Sequence, residues 1–449
     1  MPNPPEPPTD TASDALFREM RERARDMFGQ ALSECSVPAA FRRRLQQEEN
    51  YLRVGNELYD LAAFARPLVI SMGKAGRSMA EALAGILGGR LGGIIAAPGP
   101  AAPELGGFQQ FAGGHPLPDQ GSLRAGEAML RLCSGLSAES LVIFLISGGA
   151  SAIAEKPISA AISLPDILQT YRALVHSGAP IAEINAIRKH LSALKGGRLS
   201  RAATPAYQLS VLVSDVPESC PDALASGPTM PDSTSVADCY AIARRYHLLR
   251  AFPASVRMLF ERDQLQETPK ADDPAFARSR YITVLSNATA VHAAVERAVL
   301  AGFAVEVDNA CDDWDYRQAA DHLLRRLRDL RRGVSRACLI SGGEVTVKVD
   351  AASGSGGRNQ QFALHCAQQI AGEQITVLSA GTDGIDGNSP AAGAIADGST
   401  LERARRRGLE PAAALAKFDS FPLFEALGNA IVTGPTGNNV RDLRILLAY

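Results

Sequence analysis

Two glycine-rich stretches hold the residues best suited to chemistry: Gly354-Ser-Gly-Gly-Arg-Asn-Gln360 and, further along, Gly381-Thr-Asp-Gly-Ile-Asp-Gly387. Glycines such as Gly356 and Gly357 bare their backbone N–H groups, and Arg358 adds a planar fork of donors. Together they suit an anion, phosphate or carboxylate. Asn359 beside them is a candidate substrate contact. Asp383 and Asp386 add two carboxylates on the second loop, and a carboxylate pair beside a phosphate-binding loop can hold Mg²⁺. Phosphoryl transfer needs charge neutralised and groups positioned, which this set supplies. Asp-Gly by itself is an ordinary turn signal. The ordered combination is what points to function.

Six further stretches carry candidate residues, most with a plainer alternative. Gly73-Lys74-Ala75-Gly76 opens a helix after a strand, where Lys74 could reach a phosphate or carboxylate or simply face solvent. It is not a Walker A loop, whose spacing is absent. Ser147-Gly148-Gly149-Ala150-Ser151 suits nucleotide phosphates, or makes a tight turn, and lacks the G-x-S-x-G of a nucleophile elbow. In Gly113-Gly-His-Pro-Leu-Pro-Asp119 two prolines stiffen a loop holding His115, a candidate substrate contact, although a lone His is more often structural. Residues 185–198 carry Arg188, Lys189, Lys195 and Arg198; they either line an acidic-substrate site or form a solvated face ending in a glycine cap. Asp215, in Ser214-Asp-Val-Pro217, sits where it could bind metal or accept a proton. Near the end of the sequence, Thr436 in Thr433-Gly-Pro-Thr-Gly-Asn-Asn439 either touches the ligand or closes a turn.

These loops need elements to hold them. Short apolar runs precede each one: 67–71, 141–146, 209–213, 281–285, 337–340 and 375–378. The run 281–285 leads into Asn287, counted with the nucleotide contacts. Continuous apolar runs mark strands buried on both faces, as in a parallel sheet covered by helices. The polar loops then lie at the carboxyl ends of strands, where open α/β sheets bind ligands. Residues 13–45 read as helical. The charged stretch 261–280, with Pro269 and Pro274, is the expected domain boundary. The expected division is a tail over 1–12, a first domain over 13–265 and a second over 280–449, with the active site between them.

Composition narrows the class. The 449 residues are 46% hydrophobic and 21% charged, the balance of a globular protein. A net charge of -2 gives no bulk pull toward nucleic acid or an anionic membrane. Seven scattered cysteines without a C-x-x-C pair argue against a disulfide scaffold or structural zinc, and for a reducing compartment. The opening Met1-Pro-Asn-Pro-Pro-Glu-Pro-Pro8 lacks the regions of a signal peptide. A cytoplasmic protein, monomer or homodimer, with a small-molecule substrate and no nucleic-acid or membrane partner is expected.

The motifs G-K-A, G-G-H-P-x-P-D, S-G-G-x-S, N-x-x-R-K-H-L-S-x-x-K-G-G, S-D-V-P, A-S-G-P-T, S-G-G-E, G-G-R-N-Q, G-T-D-G-x-D-G and T-G-P-T-G-x-N-V occur in that order. In this string, from about residue 15 to 449, the chain resembles the class II glycerate kinases, or glycerate 2-kinases, with a C-terminal MOFRL domain. The resemblance implies an α/β fold of two domains, the larger a Rossmann-like parallel sheet covered by helices, the smaller the MOFRL domain. It implies ATP-dependent, Mg²⁺-assisted phosphorylation of D-glycerate at the 2-hydroxyl. It also carries the active-site Lys and Arg onto Lys74 and Arg358. Asp383, Asp386 or Asp215 would hold the metal and orient the hydroxyl. The chain departs from the family pattern at Ala150, Arg198, Glu218, Asn438 and Arg441, which leaves a related hydroxy acid open as the substrate. The rivals are a hydroxypyruvate reductase, opposed by the absence of G-x-G-x-x-G among the 40 glycines, and a non-catalytic metabolite sensor.

Overall fold

The computed structural model describes residues 12–64, 66–88, 91–99, 103–349 and 354–449. The expected tail therefore lies outside the described residues, except for Ala12, which opens a helix. The chain divides into two units, Val37–Ser286 and Met1–Ser36 with Asn287–Tyr449.

The first unit starts with the helix Val37–Arg44 and an antiparallel meander of β1 (Leu45–Glu48), β2 (Tyr51–Val54) and β3 (Glu57–Asp60). Its main sheet holds β4 (Leu68–Met72), β5 (Gly92–Ala97), β6 (Phe108–Ala112), β7 (Leu141–Ser147), β8 (Tyr207–Val213) and β9 (Ser279–Leu285). The order is β6-β5-β4-β7-β8-β9, and every neighbouring pair is parallel. Every residue of β7 is buried, as helices on both faces require. Ile70, Phe144 and Ile146 meet Met129 and Leu199 from the covering helices. A second apolar cluster, including Tyr171, Ile187, Phe252 and Phe260, joins the helices Leu164–His176, Ile181–Leu191, Val236–Arg245 and Ala254–Glu261. The chain runs outward from β4 to β6, then returns to β7 on the other side of β4. That reversal lies at the loops after β4 and β7, where such sheets take ligands.

The second unit holds β10 (Ala304–Val307), β11 (Ala337–Gly342), β12 (Ile375–Gly381), β13 (Gly393–Asp397), β14 (Ala430–Ile431) and β15 (Asp442–Ala448), in the order β10-β11-β15-β12-β13-β14. Among the described strands here, only β10 and β11 pair in parallel; β15 lies antiparallel between β11 and β12. The expectation that every apolar run belongs to a parallel sheet fails in this unit. An unbroken apolar run reports cover on both faces and is silent on direction. The helices Ala12–Glu34, Tyr316–Arg331 and Arg358–Gln369 supply that cover.

The compact units also divide elsewhere than expected. Ser279–Leu285 pairs with β8, so it completes the first sheet and does not open the second half. The helix Ala12–Glu34 buries Phe17, Met20, Ala24, Met27, Phe28 and Ala31 within the second unit, beside the helix Asn287–Leu300. Helical periodicity shows which face is apolar but not which sheet that face will cover.

Candidate active site

In the first unit, the loops after β4 and β7 are locked together at the strand reversal. The Lys74 N–H donates to the Gly148 carbonyl at 2.9 Å, and the Ala75 N–H donates to Ser147 Oγ at 3.0 Å. Gly73 has φ +116°, and a Cβ there would fall 2.3 Å from Ser147 Oγ, so only glycine fits. A Cβ on Gly148 would meet Asp215 Oδ2, and one on Gly149 would lie 3.0 Å from the His115 ring and 3.1 Å from Lys74 Cγ. Lys74, His115 and Asp215, far apart in sequence, therefore gather around Gly148 and Gly149. The Lys74 ammonium is exposed and makes no hydrogen bond or ion pair among the described residues. Burial, and then the Lys74 charge, hold the His115 imidazole below its ordinary pKa, so it is neutral at pH 7.

Beside them is a cavity of about 170 Å³ lined by His115, Gly149, Ser151, Ala152, Tyr171 and Arg188. Ser151 shares a 2.7 Å hydrogen bond with Ser226. The Arg188 guanidinium stacks over the Tyr171 ring, 4.5 Å from its centroid. The basic stretch 185–198 thus separates by role. Lys189 is buried between Asp222 and Asp232, at 2.9 and 3.2 Å, Lys195 is buried against Glu155, and Arg198 donates to the Gln266 carbonyl. These are internal ties, neither a solvated face nor a substrate surface. Of the other departures in this unit, Ala150 is buried at the start of the short helix Ala150–Ile153, and Glu218 accepts from Ser286 Oγ at 3.0 Å.

In the second unit, β15 brings its first residues level with the carboxyl ends of its neighbours: Leu443 opposes Gly342 and Asp442 opposes Gly381. Arg358, the first residue of its helix, grips Asp442 with Nε and Nη2 at 2.6 and 3.0 Å and Glu344 with Nη2 at 2.7 Å. Burial opposes the Arg358 charge, but the bonds to Asp442 and the charges of Asp442 and Glu344 prevail and raise its pKa. Burial, and then the Asp442 charge, push the Glu344 carboxyl up. A cavity of about 710 Å³ opens beside them, bordered by Arg358, Glu344, Asp313, Asp383 and Asn388.

The glycine loop serves a different purpose from the expected anion cradle. Asp386 is buried, and its two oxygens accept from the Asn359 and Gln360 N–H groups at 3.0 and 2.9 Å and from Gln360 Nε2 at 3.0 Å. The chain's own carboxylate fills the helix N-terminus. A Cβ on Gly357 would strike Asp386, and one on Gly387, at φ +65°, would lie 2.2 Å from the Gly356 carbonyl. These glycines let two loops close on each other. Burial pushes Asp386 up to about 6 against those hydrogen bonds, with Asp442 adding to the rise. Asp386 is thus a helix cap and not a ready metal ligand. Asp383 borders the cavity while accepting from the Ile385 N–H at 3.1 Å. Among the described residues, no group of three or more His, Cys, Asp or Glu is placed to hold a metal.

Other expected contacts are ties between loops. Asn287 donates to the Val440 and Asp442 carbonyls, Asn359 Oδ1 accepts from Ser379, and the Thr436 hydroxyl donates to the Thr382 carbonyl. Asn438 N–H donates to that hydroxyl. Arg441, at φ +72°, forks onto Asp312. Sequence reasoning missed Glu344 and Asp442 as the partners of Arg358. Both carried a signal: Glu344 ends a Ser-Gly-Gly loop, and Asp442 and Arg444 interrupt an apolar run, where a buried charge requires a partner.

Comparison with known proteins gives two family matches: a domain of unknown function (DUF4147) over residues 23–261, and the MOFRL family over residues 337–442. A D-glycerate 2-kinase of Thermotoga maritima is 35% identical over 85% of this chain and 90% of its own length. An Agrobacterium vitis protein, provisionally named a hydroxypyruvate reductase, is 38% identical over 85% of this chain and 87% of its own. The crystal structure of a glycerate kinase from Thermotoga maritima superposes with a TM-score of 0.84 at 31% identity, covering 96% of this chain and all of the other.

Proposed function

We infer the function from one premise: the chain belongs to the glycerate 2-kinase family with a MOFRL segment. It is an enzyme, a phosphotransferase that phosphorylates glycerate. The observation that carries this is the 35% identity to a D-glycerate 2-kinase over most of both chains. ATP is the phosphoryl donor that a kinase implies. The finer assignment is the 2-hydroxyl of D-glycerate as acceptor and 2-phosphoglycerate as product.

Bound ATP supplies the phosphoryl group, and the residues of this chain position and neutralise. The unpaired Lys74 ammonium takes up charge on the phosphoryl group, as a loosely bonded transition state requires. Ser147, Gly148 and Gly149 hold that lysine's loop. Asp215, against Gly148, orients the attacking hydroxyl. Arg358 contributes through the second unit's cavity, fixed by Asp442 and Glu344. Asp383 or Asp215 would hold a Mg²⁺ carried with the nucleotide, which would neutralise phosphate charge when bound.

The test is ADP release from purified protein with ATP, Mg²⁺ and a panel of small hydroxy acids, with the product's phosphorylated position identified. D-glycerate giving 2-phosphoglycerate is expected. The name of the Agrobacterium relative keeps a reductase in the same experiment. NADH oxidation with hydroxypyruvate in the absence of ATP would replace the kinase assignment.

A further inference from the structure

We propose that the 170 Å³ cavity beside Gly149 is the acceptor subsite, taking the carboxylate of a small 2-hydroxy acid on the Arg188 guanidinium and its hydroxyl beside His115 and Ser151. This rests on the kinase assignment above and adds which residues read the acceptor.

Arg188 is the first support. Its Nε is enclosed and has no hydrogen-bond partner. No carboxylate or carbonyl accepts from its guanidinium among the described residues, while its neighbour Lys189 has two carboxylates. An enclosed cationic donor without an acceptor is costly unless a ligand supplies one. An arginine fork matches a carboxylate in two parallel hydrogen bonds.

The seat of that arginine is rigid. Its guanidinium lies on the Tyr171 ring. The Tyr171 hydroxyl donates to Glu155, whose carboxylate also accepts from Lys195 and, at 2.6 Å, from Ser192. Tyr171, Lys195 and Glu155 are all buried. Burial and the Glu155 charge keep the phenol protonated and donating. The fork is therefore held in place before any ligand arrives.

Size and surroundings select the ligand. Pockets for drug-sized ligands run to roughly 300–1,000 Å³, so about 170 Å³ matches a molecule of a few heavy atoms better than a nucleotide. The far wall is His115, neutral beside Lys74, and Gly149, where an added Cβ would lie 3.1 Å from Lys74 Cγ. A carboxylate on Arg188 leaves the neighbouring hydroxyl facing His115, on the side where Lys74 stands ready for a phosphoryl group. Glycerol, of similar size, lacks the anion.

Calorimetric titration of the full chain with D-glycerate, glycolate, D-lactate and glycerol, and separately with ATP, tests this. The wild type should bind at least one of the hydroxy acids and not glycerol. Arg188→Gln should weaken that binding about 10- to 100-fold with ATP affinity changed less than about twofold. Arg188→Lys, which keeps the charge and the stem, should fall between and serves if the Gln variant fails to fold. Unchanged acid binding in both variants, loss of ATP instead of acid, or a wild type that binds none of the acids would overturn the proposal. Arg188-dependent acid binding without ADP release would leave this subsite standing and sink the kinase assignment.

Discussion

Arg188 and Arg358 are both sequence-level anion candidates, and their surroundings differ sharply. Arg358 is already committed: Asp442 takes two of its five donors and Glu344 a third. Arg188 rests on an aromatic face with no acceptor at all among the described residues. An arginine already neutralised by two carboxylates would bring little net positive charge to an incoming anion, which must compete with bonds already made. An arginine held by stacking alone keeps its whole charge and fork for the ligand. The residue type was the same; the partners decide the role.

The largest effect that would break this contrast is at the seat of Arg188. Glu155→Gln strands Lys195 in a buried site and should cost about 3–5 kcal/mol of stability, read as a lower urea midpoint with an unchanged slope. A wild-type midpoint would mean that Tyr171 needs no such anchor. Next, Lys74→Ala should lower kcat for ADP release about 10²–10³-fold, while urea unfolding stays near wild type because that ammonium has no partner to lose. Asp442→Asn should do the reverse. It removes one charge from a partly exposed pair and should cost about 2 kcal/mol of stability, with a smaller loss of turnover. If it instead abolished turnover at intact stability, Arg358 would be the more active cation. Gly149→Ala, at φ +81° and against both Lys74 and His115, should cost about 1–2 kcal/mol and raise KM for the acid more than for ATP.

The smallest effect is in pH. Burial and Lys74 hold His115 below its ordinary 6.5. Since the folded value is depressed, the unfolded chain takes the proton first, and this group subtracts stability as pH falls through 6.5. The neutral imidazole is therefore the main form above that pH. Turnover per KM for the acid should fall on the acid side with a midpoint below pH 6.5, and His115→Gln should lose that acid limb. A limb centred above 6.5 would place a different group beside the acceptor.

Much of the first unit was legible because its signal is local. A parallel strand buried on both faces has to read as an apolar run, and a glycine at the end of such a run marks a loop at the ligand edge. Lys74 and the Ser147 loop could therefore be named, while His115 came from a proline-stiffened loop and Arg188 from a basic stretch, in which the different surroundings of Arg188 and Lys189 could not be read. Adjacent helical residues point some 100° apart, and the difference depends on Asp222 and Asp232, more than thirty residues away. The second unit was less legible. Its glycine loop looks like an anion cradle in one dimension, but a distant loop returns Asp386 to fill it. Asp386 is drawn away from a metal by the same closure, because the Asn359 and Gln360 N–H groups have claimed its carboxylate. Among the described residues, no helix is long and apolar enough to cross a membrane.

The second unit is built from separated stretches of chain: the helix Ala12–Glu34 and the residues beyond Asn287, with β15 between β11 and β12. During synthesis, the Val37–Ser286 unit has its whole sheet available while this helix still waits with an uncovered apolar face. Its centre strand, Asp442–Ala448, is made long after both neighbours. Domains tend to fold as units in the order of synthesis, and long-range pairings close slowly. The unit carrying Arg358 is therefore expected to mature last, and a nascent chain halted before residue 442 should hold a protease-resistant first unit and an unprotected second one.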